Sequence, residues 1–456
     1  MKKLLMPLLA LAMSLGAVSC TNSDPNPDPD PNPGGGEAVY PAGDKDLNPD
    51  LNTWEATVKV TYAGNEVKIE GASEAGVTAR TTGCNVDLDL GMAKLICVEV
   101  TGSTENGSLR ISGERKHMVK LTDLTLKATD RPAINDQNGK RVFLVVEGEN
   151  KLSDAAPYAT TLEDRKGCLF AESHIVLCGT GTLEIKGNNR HGLATDGFLY
   201  VNPGVTLKVT DAVKNAIHVK GSGSVNNAYR GIEIAGGTVI AMTTAPSGKA
   251  MKCDGSVVIS GGSVSLATMG DAALDPDDGT LSSAACIRAN SFVTVKDKAN
   301  LTLDASGKGA KGINADGNVN LAGGQLAITV SGDYMEDHGD KSTPKGIVAK
   351  QTLAVSGGTT TVSATGAGAT AVESDVNAEF TGGSLTAFGT AYGFESPRAK
   401  ATAGTLLIGG AANDLIDGAT AKTYEGVVAG TETDLGSVKF RWPVSLGSAT
   451  LLTFGF

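Results

Sequence analysis

The segment Ala310–Leu326, AKGINADGNVNLAGGQL, recurs along the chain, and its recurrences limit the fold more than any other feature. With Ile313 as origin, a small residue precedes it and a Gly-type turn follows ten positions later. The same frame occurs at Cys168 (turn Cys178-Gly179), Leu193 (Pro203-Gly204) and Met251 (Gly261-Gly262). It occurs again at Ile347 (Gly357-Gly358) and Val372 (Gly382-Gly383). Ile217 fits with an insertion before Gly236-Gly237, and Ile287 fits with Asp297-Lys298 in place of the glycines. Steps such as Leu193 to Ile217 are about two dozen residues, the period of a stacked β-coil.

After each origin, apolar and polar positions alternate, so that Val319 and Leu321 share one face. The origin residues then form an inward column that no single coil buries but stacked neighbours do. The position before the origin holds only Gly, Ala or Cys, which implies a tight turn or close packing there. Helical spacing is nowhere sustained. The pattern predicts an all-β chain, a parallel β-helix (β-solenoid), over residues 54–400.

Trp54 to Leu126 gives shorter alternating runs, expected as irregular first coils or a cap on the open end. Beyond residue 400 the frame fades. Val438–Trp442 before Pro443, together with Leu451–Phe454, predicts a small β cap over residues 401–456.

The N-terminus reads as an address. Met1-Lys2-Lys3 precedes a mostly apolar run from Leu4 to Val18, a signal sequence too short to span a membrane. It ends Ala17-Val18-Ser19-Cys20, which resembles a bacterial lipobox, so residues 1–19 are expected to be removed and Cys20 lipidated. Plain secretion with an incidental Cys20 is the alternative. Residues 20–53, rich in Pro, Asp and Gly, are expected to form an extended tether. Acidic tethers behind a lipidated Cys resemble those of surface-exposed Bacteroidetes lipoproteins, which implies the outer-membrane surface of a Gram-negative envelope.

A net charge of −11 argues against nucleic-acid binding, for which a basic footprint is expected. Cys84, Cys97, Cys168, Cys178, Cys253 and Cys286 lack the paired spacing of a zinc site. Buried free thiols are the expectation, with oxidation in an exported protein as the alternative.

Three insertions, Ser222–Tyr229, Asp271–Ala284 and Asp333–Thr343, interrupt the repeat and should leave it as loops. In the second, Asp275, Asp277 and Asp278 before Gly279 offer the hard oxygens of a calcium site. Two places before the origins lies a column containing Lys249, Lys311 and Lys345. It is either a solvated edge pairing with nearby Asp residues or a basic row for the carboxylates or sulfates of an anionic glycan. Phe198 and Tyr200 flank the inward Leu199, with Phe292 in the same outward column as Phe198. Exposed, they suit stacking on a sugar; the alternative is packing under a loop.

The phrases KGINADGNVNLAGGQLAITV, GTGTLEIKGNNRHGLATDG and AINDQNGKRVFLVVEGENKL resemble the β-helical carbohydrate-binding domain family of clostridial and Bacteroidetes surface proteins, from about Val58 to Phe394. The resemblance implies a right-handed parallel β-helix that binds polysaccharide, including acidic ones, with calcium on Asp residues. Family members often carry Asp-Asp-Gly-Ile at the coil start. Here Lys311-Gly312-Ile313, Lys345-Gly346-Ile347 and His191-Gly192-Leu193 put Lys or His where a carboxylate is expected. The rival readings are a β-helical lyase or hydrolase, for which no compact carboxylate constellation is visible, and a protein-binding adhesin.

Overall fold

The structure, a computed structural model, describes residues 40–221, 231–276, 279–410, 433–439 and 452–455. Cys20, most of the tether, the insertion Ser222–Tyr229, the proposed ligands Asp277 and Asp278, and Phe440–Trp442 lie outside them. The described chain is all-β. Its helical pieces are the short turns Pro49–Leu51 and Ala72–Ala75.

The strands form three parallel ladders, each strand pairing with its counterpart one repeat later. The first ladder runs from Cys84–Asp89 through Lys311–Ala315 to Tyr392–Gly410. Its register aligns Val86, Leu109, Ile134, Leu169, Leu193, Ile217, Met251, Ile287, Ile313, Ile347, Val372 and Phe394. All are buried in one continuous core. Each such side chain contributes about 1.5–3 kcal/mol by leaving water. The predicted column is thus observed, with one correction. Leu169, not Cys168, faces Leu193. Gly167–Ala171 is apolar on both faces, so alternation there carries no phase.

The small residue before each origin has a steric cause. A Cβ on Gly312 would lie 2.5 Å from both the Ile328 side chain and the Gly346 carbonyl. At Gly346 it would meet the Val362 side chain and the Ala371 carbonyl. Ile328 and Val362 belong to the third ladder, which fills the space a larger residue would need. Ten positions on, Gly324, Gly358 and Gly383 turn the chain from the second ladder into the third at φ of 72–73°, where a side chain would be strained.

The second ladder is apolar outside as well as inside. Val142–Glu147, Ile175–Gly179 and Leu199–Val201 are buried on both faces, as strands are when something packs over them. The cover comes from the start of the described chain. Leu47 is buried against Phe143, Val176, Phe198 and Tyr200, and Tyr40 and Trp54 pack on the same cluster. Trp54 meets Phe143 edge-on at 5.8 Å, and Asp46 bonds Arg141 at 2.9 Å. Residues 40–53, assigned to the tether from composition, therefore include a packed strap.

The six cysteines from Cys84 to Cys286 are buried and unpaired, as expected. Burial pushes the Cys97 and Cys253 thiols up to about 12, so neither is reactive near neutral pH.

Candidate functional site

The ladders decide which predicted residues meet. Lys249, Ala285, Lys311, Lys345 and Thr370 align on neighbouring strands of the first ladder, so the lysine column exists. It is only partly open to water, because all three lysines are half-buried. The insertions fold back as two hairpins, Ala273–Leu274 with Leu281–Ser282 and Met335–Asp337 with Asp340–Ser342, joined by a 2.9 Å contact between the Ser283 and Ser342 hydroxyls. Lys249 Nζ donates to the Ser247 carbonyl at 2.7 Å and to Ser282 Oγ at 3.2 Å. Lys311 Nζ donates to Ser283 Oγ, and Lys345 is ion-paired with Glu373. Desolvation, with neighbouring cations, lowers both Lys249 and Lys311 to about 8.

Lys249 and Lys311 are therefore internal donors rather than an open basic row. Lys311→Met, which keeps the stem and removes the charge, is expected to stabilise the chain at pH 7 by ~1–3 kcal/mol. The sign follows from linkage. A folded pKa of about 8, below the unfolded value of 10.5, penalises the charged form below pH 8 and relieves it as pH rises toward 10.5. Denaturant melts of both chains at pH 7 and 10 check this, and the gap should narrow at pH 10. A variant less stable than wild type would make the ammonium a net stabilising donor.

Phe198 and Tyr200 point out of the second ladder as alternation requires, but the strap covers them, leaving 2% and 5% of their surface exposed. His174 stacks on Phe198 at 4.4 Å and Arg141 lies over the ring at 5.0 Å. Neither aromatic can meet a sugar in this structure. Phe292 is half-buried.

Asp275 closes its hairpin through its backbone, accepting from Gly279 and donating to Thr280, and its charge raises the pKa of Lys249. Asp271 and Asp333, in the equivalent places of the two insertions, each accept a backbone N–H, from Lys308 at 2.7 Å and Ala367 at 2.8 Å. Among the described residues, Asp164, Glu172 and Asp196 bring carboxylate oxygens within 4.8 Å of one another. Lys166 already bonds Asp164 at 2.7 Å and Asp196 at 2.5 Å, so a calcium ion there would have to displace an ammonium.

Other charges on the outer first-ladder face pair within and between repeats. Asp316 takes Arg288 at 2.5 Å and Lys350 at 2.6 Å, and Asp254 takes Lys252 at 3.2 Å. His191 Nδ1 accepts the Asn215 backbone N–H at 3.2 Å, which leaves its Nε2 to donate to His218 Nδ1 at 3.0 Å. His218 Nε2 in turn lies 4.0 Å from Asp254.

Where the ladder nears its C-terminal end, a groove of about 600 Å³ opens. Lys345, Thr370, Glu373 and Ser374 come from two first-ladder strands, and Tyr392, Glu395 and Ser396 from the next. A half-buried phenol ring thus sits among hydroxyls and carboxylates. Of the predicted site residues, Lys345 alone lines this groove. Tyr392 and Glu395 were legible in principle, because Tyr392-Gly393-Phe394 repeats the Lys345-Gly346-Ile347 frame and Gly404 follows ten positions after Phe394.

A family model described as carbohydrate-binding domain-containing protein matches residues 97–272 and 278–391, more than half of the chain. The chain belongs to that family. The match spans most of the three ladders and reaches the Lys345–Thr370 part of the groove. No curated protein matches. Among solved structures, a polysaccharide lyase-like protein from C. thermocellum superposes over 72% of this chain and 90% of its own, at 13% identity and a TM-score of 0.30. At that level of superposition it bears on neither fold nor chemistry.

Proposed function

We propose that this chain is a surface-anchored polysaccharide-binding protein, and that the sugar lies along the outer face of the first ladder. The observation that carries this is the C-terminal groove. Tyr392 offers a flat apolar surface for a pyranose CH face, with half-buried Thr343 and exposed Asp375 beside it for hydroxyls, while Thr370, Ser374 and Ser396 form the buried floor. The three ladders are taken to wind as a right-handed parallel β-helix. The strands Thr433–Lys439 and Leu452–Gly455, antiparallel to Tyr392–Gly410, are taken as its C-terminal cap. Successive strands then present groups about every 4.8 Å, suited to an extended polymer.

Tyr392→Ala is expected to weaken polysaccharide binding about tenfold, the size of one lost stacking contact. Retention on a panel of immobilised polysaccharides measures it; unchanged retention on every polymer would remove the groove from the reading. Glu373 and Glu395, in register on neighbouring strands, are the acid pair a hydrolase would use. Scoring the same incubations for new reducing or unsaturated ends tests that second reading.

The anchor at Cys20, placement on the outer surface of a Gram-negative envelope, and calcium at Asp275, Asp277 and Asp278 belong to the same proposal. Palmitate labelling abolished in Cys20→Ala tests the first. A melting temperature that responds to calcium and chelator tests the last. The acidic character of the ligand loses the lysine row as its support and depends on other cations.

A further inference from the structure

A second groove, of about 490 Å³, opens at the other end of the first ladder, walled by the hairpin of Thr78–Thr82 with Cys84–Asp89, by Gly107–Ser112 and by the segment carrying Thr161 and Arg165. We propose that this groove is a subsite for a sulfate ester on a polysaccharide, gripped by Arg80 and Arg165. The proposal rests on the polysaccharide reading above but uses a different part of the ladder.

Four arginines line the groove in a chain whose net charge is −11. Two are already satisfied. Arg110 is clamped by Glu163 through its Nε and Nη2, the shortest contact being 2.6 Å, and by Asp87 at 2.8 Å. Arg131 is held by Asp130 at 2.6 and 3.0 Å. The other two form no ion pair among the described residues, although Arg165 lies near enough to Asp130 to add to the lowering of its pKa by Arg131. Arg80 is exposed on the hairpin and forms no ion pair with a described residue. Arg165 gives a long 3.4 Å bond from Nη1 to the Ala159 carbonyl, and its buried Nε has no partner.

The internal pairs indicate which anion fits. A planar carboxylate has two oxygens and is met in full by one guanidinium fork, as Glu163 and Asp130 are here. A sulfate ester has three free oxygens in tetrahedral array. It accepts from forks on two walls, which is what Arg80 on the hairpin and Arg165 on the facing segment supply. Polar side chains at Thr81, Thr82 and Thr161 stand beside them for the sugar hydroxyls.

The test measures binding of the full mature chain to dextran sulfate, to unmodified dextran and to polygalacturonate across a salt series. Arg80→Gln/Arg165→Gln should bind dextran sulfate about tenfold or more weakly and lower the slope of log affinity against log salt by about 2. Binding to neutral polymers that depends on Tyr392 should be unchanged in this variant. Arg80→Gln alone, at an exposed position, should show part of the loss without risk to folding. Equal dextran sulfate affinity in wild type and double variant overturns the proposal. So does polygalacturonate bound as tightly as dextran sulfate, or full displacement by inorganic sulfate at matched sulfate concentration. Failure to bind any polymer, neutral or charged, would instead remove the polysaccharide reading itself.

Discussion

Ile313→Asp is expected to cost the chain about 4–5 kcal/mol, because it puts an unpaired carboxylate into a fully buried column. Ile313 faces Ile287 on one side and Ile347 on the other, with Ile328 of the third ladder close by at Gly312. No described cation faces into that column, so burial offers the charge no partner. In a stacked structure each repeat is stabilised mainly by its neighbours, so the damage should spread outward from the repeat. Hydrogen exchange should show lost protection first in Lys311–Ala315 and its partners Ala285–Ala289 and Lys345–Ala349. Thr302→Asp, one position from the buried Leu303 but exposed, is the control and should change stability by no more than about 0.5 kcal/mol. Equal stability of wild type and Ile313→Asp would mean that the column is not the core.

The column was legible because three local constraints agree along it: alternation with period two, a small residue before the origin, and a turn at positive φ that is glycine in most repeats and Asp297 in the Ile287 repeat. Each reports geometry within the sheet, and register is a property of the sheet. The slip at Cys168 fits this account, since a segment apolar on both faces gives alternation nothing to measure.

What was not legible is what lies over the sheet. Phe198 and Tyr200 do point outward, and Lys249, Lys311 and Lys345 do align, yet outward from a sheet is not the same as open to water. Leu47 and Trp54 reach the second ladder from far earlier in the chain, and no spacing rule links them to Phe143. Two local signals pointed to a cover without naming it. Val142–Val146 is apolar on the face that should be wet, and the insertions that form the hairpins leave the third ladder just before the first-ladder strands Ala285–Ala289 and Lys345–Ala349 begin. The candidate groove was missed for the opposite reason. Its frame at Phe394 was present, but the turn there is Ala403-Gly404 rather than the Gly-Gly pair of the repeats just before it.

The largest pH effect is expected on the acid side, where stability should fall steeply between pH 6.5 and about 4. Burial lowers His218 to about 4 and holds His191 well below its ordinary value, and Arg190 and Lys214 lower both. The neighbouring imidazole adds to the effect on His191. Lys252 lowers His218 and Asp254 opposes it. His174, buried against Phe198 and beside Arg141, is also lowered to about 4, with Asp46 opposing. These folded values lie below the unfolded histidine value near 6.5, so the unfolded chain binds more protons as pH falls through the window. The neutral imidazoles cost nothing above pH 6.5, and their penalty is complete once pH drops below the folded values. At about 1.4 kcal/mol per pKa unit, His218 alone contributes ~3 kcal/mol, and the partly exposed His174 contributes less. Carboxylates complicate the lower end: Asp46 and Asp316 are held low and add to the loss, whereas burial raises Glu233 and offsets part of it. The share of the imidazole pair is isolated by His191→Gln/His218→Gln, which should make the stability curve shallower between pH 6.5 and 4.5 and leave the part due to His174 and the carboxylates. Retention of the wild-type slope in that variant would assign acid sensitivity to His174 and the carboxylates, and the hydrogen-bonded imidazole pair would then be only a packed part of the ladder.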